Sequence, residues 1–143
     1  MSKNVSIGNV FKVLSDQKTE KLFMAIVESN YSESQVLIIE LGLSKKQYYN
    51  RVKKLLGAGI IRRKKRGYEL SSFGKVIFSL YKIAEKASRI IWKLDAIDNI
   101  MTSDDSHLAE LDYMKIIDIL LRDVEIKEFF LHGQDDWLKN KKS

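Results

Sequence analysis

Apolar residues along this chain recur at helical spacing in some stretches and alternate in others, and the changes between the two mark out its elements. Between residues 16 and 29, Leu22, Phe23, Ile26 and Val27 fall at helical spacing, with Ser15 or Asp16 placed to cap the first turn. Phe11, Val13 and Leu14 ahead of them predict a short helix packed on the same core. Two serine–glutamine boxes follow. Ser32-Glu33-Ser34-Gln35 predicts a helix that runs to Leu41 and stops at Gly42, and Ser44-Lys45-Lys46-Gln47 predicts another that runs to about Ala58 and stops at Gly59. In each box the serine oxygen accepts from the third residue's backbone N–H while the glutamine reaches back, and a glycine can take the left-handed conformation that closes the helix. Only Gly42-Leu43-Ser44 separates the two helices, so the chain must turn sharply between them, as a helix-turn-helix does.

Residues 60–66, two isoleucines followed by five cations, are too short and too charged for a packed helix. With Gly67 as a turn and Tyr68-Glu69-Leu70 alternating as a strand, they predict a basic-tipped β-hairpin, or wing. From Phe73 the period is helical again. Val76, Leu80, Ile83, Ala87, Ile90, Leu94, Ile97 and Met101 form an unbroken heptad seam, widened on one flank by Ile77, Ala84 and Ile91. After an interruption in which Ser103 or Asp104 is the expected cap, Leu108, Leu111, Ile117, Leu120 and Leu121 predict an amphipathic helix. Asp123 is placed to cap a last short one holding Ile126, Phe129 and Phe130, and the polar stretch from Gly133 to Ser143 is expected to fray. The fold class is therefore mostly α with a small β-hairpin wing: a winged helix-turn-helix domain over residues 8–74, a long helix and C-terminal helices over 75–132 that serve dimerisation, and a tail over 133–143.

Charge sharpens this picture. The 143 residues carry a formal net charge of +6, but residues 44–68 hold ten Lys and Arg and no acid, whereas residues 95–136 hold twelve acids against Lys115, Arg122 and Lys127. Such segregation points to a polyanionic partner for the front half. There is no cysteine, which excludes disulfides, zinc-thiolate sites and thiol catalysis, and no proline to kink the helices. His107 and His132 have no nucleophile or ligand set beside them, so neither a catalytic residue, a metal site nor a cofactor is expected, and the chain is not expected to be an enzyme. Asp104-Asp105 and Asp135-Asp136 lack the spacing of a calcium loop, and Trp92 and Trp137 are expected to be ordinary packing aromatics. No apolar run approaches the length of a membrane span, and the first residues lack the apolar core of a signal peptide, so a cytoplasmic protein with no membrane partner is expected.

The helix over residues 45–58 is the expected recognition helix. Tyr48, Val52, Leu55 and Leu56 form its inner face, which turns Lys46, Gln47, Tyr49, Asn50, Lys53 and Lys54 outward, with Lys45 and Arg51 at the margins. Lysines neutralise phosphates, while Gln and Asn can pair bidentately with adenine in the major groove. The wing cations Arg62, Arg63, Lys64, Lys65 and Arg66 would reach flanking phosphates or a narrow minor groove.

Leu43-Ser44, Tyr48, Val52, Leu55, Gly59-Ile60-Ile61-Arg62 and Gly67-Tyr68-Glu69-Leu70-Ser71 with Gly74 together resemble the winged-helix core of the ArsR and MarR regulator families, most of all their small archaeal members. The lead-in Phe11-Lys12-Val13-Leu14-Ser15-Asp16 is similar to the start of ArsR-type domains. The resemblance covers roughly residues 11–74 and implies a winged-helix fold, a dimeric habit and DNA binding. It departs from the ArsR pattern in having neither the proline and arginine after Ser15-Asp16 nor a cysteine pair, so metal sensing through thiolates is excluded. The expected function is sequence-specific binding of double-stranded DNA by a homodimeric transcriptional regulator. Leu80, Ile83, Ala87, Ile90, Leu94 and Ile97 form the expected dimer seam, although a fold-back of the following helix over that seam would explain it within one chain. A winged-helix protein-interaction adaptor is the alternative, and RNA binding a weaker rival.

Overall fold

Two polar residues begin the first two helices. The Ser6 hydroxyl accepts from the Asn9 N–H at the head of α1 (Ile7–Ser15), and the Asp16 carboxylate accepts from the Thr19 N–H (3.1 Å) and hydroxyl (2.6 Å) at the head of α2 (Gln17–Glu28). The computed structural model describes residues 5–29, 32–102 and 110–141. Among these are eight helices and three short strands, so the protein is mostly helical with a small β-hairpin after α4. The remaining elements of the front half are β1 (Ser32–Glu33), α3 (Ser34–Leu41), α4 (Lys45–Gly57), β2 (Ile61–Lys64) and β3 (Gly67–Leu70). They are followed by α5 (Ser72–Arg89), α6 (Ile91–Thr102), α7 (Glu110–Leu120) and α8 (Val124–Lys141). The chain divides into two compact units, Met1–Ser79 and Leu80–Ser143, so the division falls inside α5.

In the first unit, Val10, Leu22, Phe23, Leu37, Tyr48, Val52, Leu55 and Ile60 are sealed from solvent, and Val13, Leu14, Ile26, Ile61, Tyr68 and Ile77 complete the core. Each fully buried aliphatic or aromatic side chain of this kind stabilises by about 1.5–3 kcal/mol. Phe11, expected inside, is 66% exposed; the register of α1 puts Val10 inward in its place. Gly42 (φ 63°) and Gly59 (φ 79°) adopt the left-handed conformation at the ends of α3 and α4. The Ser71 hydroxyl donates to the Gly59 carbonyl (2.6 Å) and accepts from the Gly74 N–H (2.9 Å), tying the exit of α4 to the entry of α5. Gly74 lies so close to the chain at Ile60 that a Cβ there would stand 1.9 Å from the Ile60 carbonyl oxygen.

Tertiary pairing changed three local expectations in this unit. Ser32 and Glu33 open no capping box; they are a strand edge, with Ser32 opposite Tyr68 and Glu33 opposite Gly67, and no side chain caps α3. Ser34 accepts instead from the buried Tyr48 hydroxyl (2.8 Å). The strand order is therefore β1-β3-β2, all antiparallel, with β1 added to the outside of the hairpin. Gly67, now a buried β3 residue paired on both sides, does not make the turn. Lys65 (φ 48°) and Arg66 do.

In the second unit the heptad seam is broken. The α-helical hydrogen bonding stops at Ile90, whose N–H donates to the Ala87 carbonyl three residues back (3.1 Å), and α6 starts afresh from Ile91. The seam's second half is covered by the same chain. Ile97, Ile117, Leu121 and Ile126 are buried together, with Ile90, Leu94, Leu120 and Phe130 packed around them. Its first half lies differently: Ile77, expected on the widened flank of the seam, is inside the first core, while Val76 and Leu80 are exposed. Trp92, expected to pack, is 63% exposed. Asp123 does cap the last helix, accepting from the Ile126 N–H (3.2 Å), but α8 is long and continues through the expected tail to Lys141. The caps expected at Ser103 or Asp104, and Leu108, lie outside the described residues, as do the surroundings of the Leu111 and Trp137 side chains.

Candidate nucleic-acid interface

The reading face of α4 is set at its first turn. Ser44 Oγ accepts from the Gln47 N–H and the Ser44 N–H donates to Gln47 Oε1, both at 3.1 Å, which closes the second capping box and fixes the helix start. Burial of Tyr48, Val52 and Leu55 then fixes its rotation. The phenol of Tyr48 is held above its ordinary pKa by burial, against the opposing effect of its bond to Ser34. With that face inside, Lys45, Lys46, Gln47, Tyr49, Asn50, Lys53 and Lys54 are all exposed, and no acid stands among them.

Not every cation of the basic stretch faces outward. Arg51, only 17% exposed in its side chain, folds back: Nη1 donates to the Gln47 carbonyl (3.0 Å) and Nε lies 3.5 Å from Asp16 Oδ2. Its role is to tie α4 to the start of α2. Gln47 is also partly committed, because its amide oxygen is held in the cap. Asn50, which has no partner among the described residues, keeps both ends of its carboxamide open.

The hairpin sorts its cations by face. Arg62 stands opposite Glu69 in the ladder and bonds it through Nε (2.7 Å) and Nη2 (2.6 Å), and Lys64 Nζ reaches the other oxygen (3.1 Å). Lys64 above all, with Arg62 adding to it, holds the Glu69 carboxyl below its ordinary pKa against an opposing desolvation. Two of the five expected wing cations are thereby paired. On the opposite face Arg63 stands over the Tyr68 ring (5.9 Å) and points an N–H at its hydroxyl (3.5 Å), which raises the guanidinium pKa further. Arg63, Lys65 and Arg66 line a hollow of about 150 Å³ with Tyr49 of α4, Ser34 and Tyr68. Three cations and two phenols thus converge beside α4, and groups of this kind can together hold an anion the size of a phosphate. Ser34 and Tyr68 were missed as members of this site. The strand alternation puts Tyr68 with Arg63 only once the turn is known to lie at Lys65 and Arg66.

The expected dimer seam is dispersed. Ile97 is buried in the second core and Ile90 and Leu94 pack on it, Ile83 and Ala87 are half-buried, and Leu80 is 44% exposed. His132 is exposed on α8 beside Glu128 and Phe129, and His107 lies outside the described residues. Among the described residues no group of three side chains could hold a metal ion, and no helix is long and apolar enough to cross a membrane.

Fold and site together define a helix-turn-helix followed by a β-hairpin wing, with a cation-rich face on its second helix. Within that class, residues 7–94 match the model of an archaeal protein family, and the chain belongs to that family. No curated protein and no solved structure matches it.

Proposed function

We propose that the protein binds double-stranded DNA, as a homodimeric cytoplasmic transcriptional regulator that reads sequence with α4 and grips the backbone with the wing. The observation that carries this reading is the exposed face of α4, whose own residues include four lysines and no acid, together with the hollow in which Arg63, Lys65 and Arg66 meet Tyr49. Lys45, Lys46, Lys53 and Lys54 neutralise phosphates, and Asn50 offers a free carboxamide to a base edge. Arg62 and Lys64 share the Glu69 carboxylate, and Arg51 is turned back to Asp16. An adaptor that binds only protein has no need of such a concentration of cations on one face.

The dimer supplies the second half-site that gives such modules their specificity. Phe73, Val76 and Leu80, exposed at successive turns of α5, are the residues it would cover.

A mobility shift of the full chain on the duplex upstream of its own gene tests the reading. If six to ten phosphates are neutralised, affinity falls by about 10³–10⁵ between ~50 and ~200 mM salt. Asn50→Ala should cost about 1–3 kcal/mol on the preferred site and relax its sequence preference. Arg63→Ala should instead weaken specific and non-specific duplexes alike. Gln47→Ala should act mainly on stability, through the lost cap. A salt-insensitive complex, or none with any duplex, overturns DNA binding in favour of the adaptor.

A further inference from the structure

The back half of the chain is acidic, yet its described residues enclose a cationic hollow. Within the second unit, Lys86 and Arg89 at the end of α5, Lys93 in α6 and Arg122 in the α7–α8 turn line a hollow of about 270 Å³, with Asp123 the one acid in its lining. Its remaining lining is apolar: Ile126 is buried, and Ile90 and Leu120 are half-buried. The hollow therefore has a greasy floor and a positive rim. It is formed where the heptad seam breaks at Ile90 and where the chain turns before α8, so backbone irregularity on both sides opens it.

Two of the four cations have acidic neighbours. Lys86 Nζ lies 3.5 Å from Asp123 Oδ2, and Arg89 bonds Glu85 one turn back at 2.5 Å. Both pairs are open to solvent, where such pairs contribute little and exchange readily for another anion. Lys93 lies 5.5 Å from the centre of the exposed Trp92 ring, and Arg122 has no ion pair among the described residues. A bare inorganic anion would use the rim and gain nothing from Ile90, Leu120 and Ile126. A neutral apolar molecule would use the floor and leave the cations unanswered. The volume is at the small end of ligand pockets, which run to roughly 300–1,000 Å³, so a long acyl chain is too large.

We propose that this hollow is a binding site for a small organic anion, a compact apolar body bearing an anionic group, with Arg122 and Lys93 as its principal anion contacts and Ile90, Leu120 and Ile126 as its apolar floor. Its lining belongs to the second unit and shares no residue with the face of α4, and the inference does not rest on DNA binding.

Calorimetric titration of the full chain with naphthoate tests it, alongside the neutral naphthyl methanol and inorganic phosphate as counterparts. The expected result is one saturable site per chain for naphthoate, at least about tenfold tighter than for either counterpart. Arg122→Gln and Lys93→Gln together should weaken it by a further factor of about ten, with an unchanged circular dichroism spectrum and unchanged duplex affinity. No saturation at millimolar naphthoate overturns the proposal. So does phosphate binding as tightly, which would show a bare anion seat, and so does full affinity in the double variant, which would place the ligand elsewhere.

Discussion

At the residue scale, the direction a charge faces decides its role. Arg51 and Lys53 stand two positions apart in one basic helix, yet one is turned back to Asp16 and the other is exposed. Asp16 shows how much one side chain can organise. Its carboxylate caps α2 through Thr19, receives Arg51, and is held below its ordinary pKa of 3.8, first by the Thr19 hydroxyl, then by the Thr19 N–H and more weakly by Arg51. A carboxyl whose folded pKa is depressed contributes stability that is present above the unfolded value and lost as pH falls through the folded one. Asp16→Asn keeps a capping oxygen and removes the charge. Denaturant unfolding of both proteins between about pH 6 and pH 2 should show the wild type more stable at the upper end, with the difference closing below the unfolded carboxyl pKa of about 4. A difference that is constant across this range would mean that the Asp16 charge is not engaged in the fold.

At the element scale, the helix-turn-helix and the wing are held together by close backbone approach as well as by apolar burial. The entry of α5 passes against Ile60 at Gly74, and the Ser71 hydroxyl links Gly59 to the first turn of α5. A methyl group at position 74 would meet a backbone carbonyl, which cannot rotate away as a side-chain end could. Gly74→Ala should therefore cost about 1–3 kcal/mol or more by overpacking, although alanine is the better helix former. Gly57→Ala, where a Cβ meets nothing within 4 Å, is the control and should be neutral or mildly stabilising. Equal thermal midpoints for the two variants would refute the close packing of α5 on Ile60.

At the scale of the whole molecule, two separate cores imply that damage in one need not spread to the other. The second core is small, with Ile97, Ile117, Leu121 and Ile126 its buried residues among those described. Ile97→Ala should open a cavity worth about 2–5 kcal/mol, enough to loosen that unit. Amide exchange should then accelerate across α6 to α8 while the protection of α1 to α4 stays unchanged. Leu80→Glu, at an exposed position, should leave exchange in both units intact and act on association alone. Sedimentation at micromolar concentration should find a wild-type dimer and a Leu80→Glu monomer. A wild type that is monomeric throughout would remove the dimer and leave the heptads to their role inside the chain.

The order of elements in the front half was legible in the sequence because its signals are local. A capping box at Ser44, left-handed glycines at 42 and 59, and the apolar spacing of Tyr48, Val52 and Leu55 act over three or four residues and need no distant partner. The exposed face of α4 follows directly from that spacing. Tertiary structure decided whatever depended on a partner far along the chain. The Ser32 box yielded to strand pairing with β3, which also removed Gly67 from the turn and so chose which wing cations face Tyr49. Glu69 and Asp16 pair with three of the cations that charge counting assigned to the partner. A heptad repeat states that a helix has an apolar seam and leaves open what covers it, since a second chain and a folded-back helix satisfy the same spacing. Here Ile97, with Leu94 packed beside it, has its cover in Ile117, Leu121 and Ile126 of the same chain, a pairing no local pattern could specify.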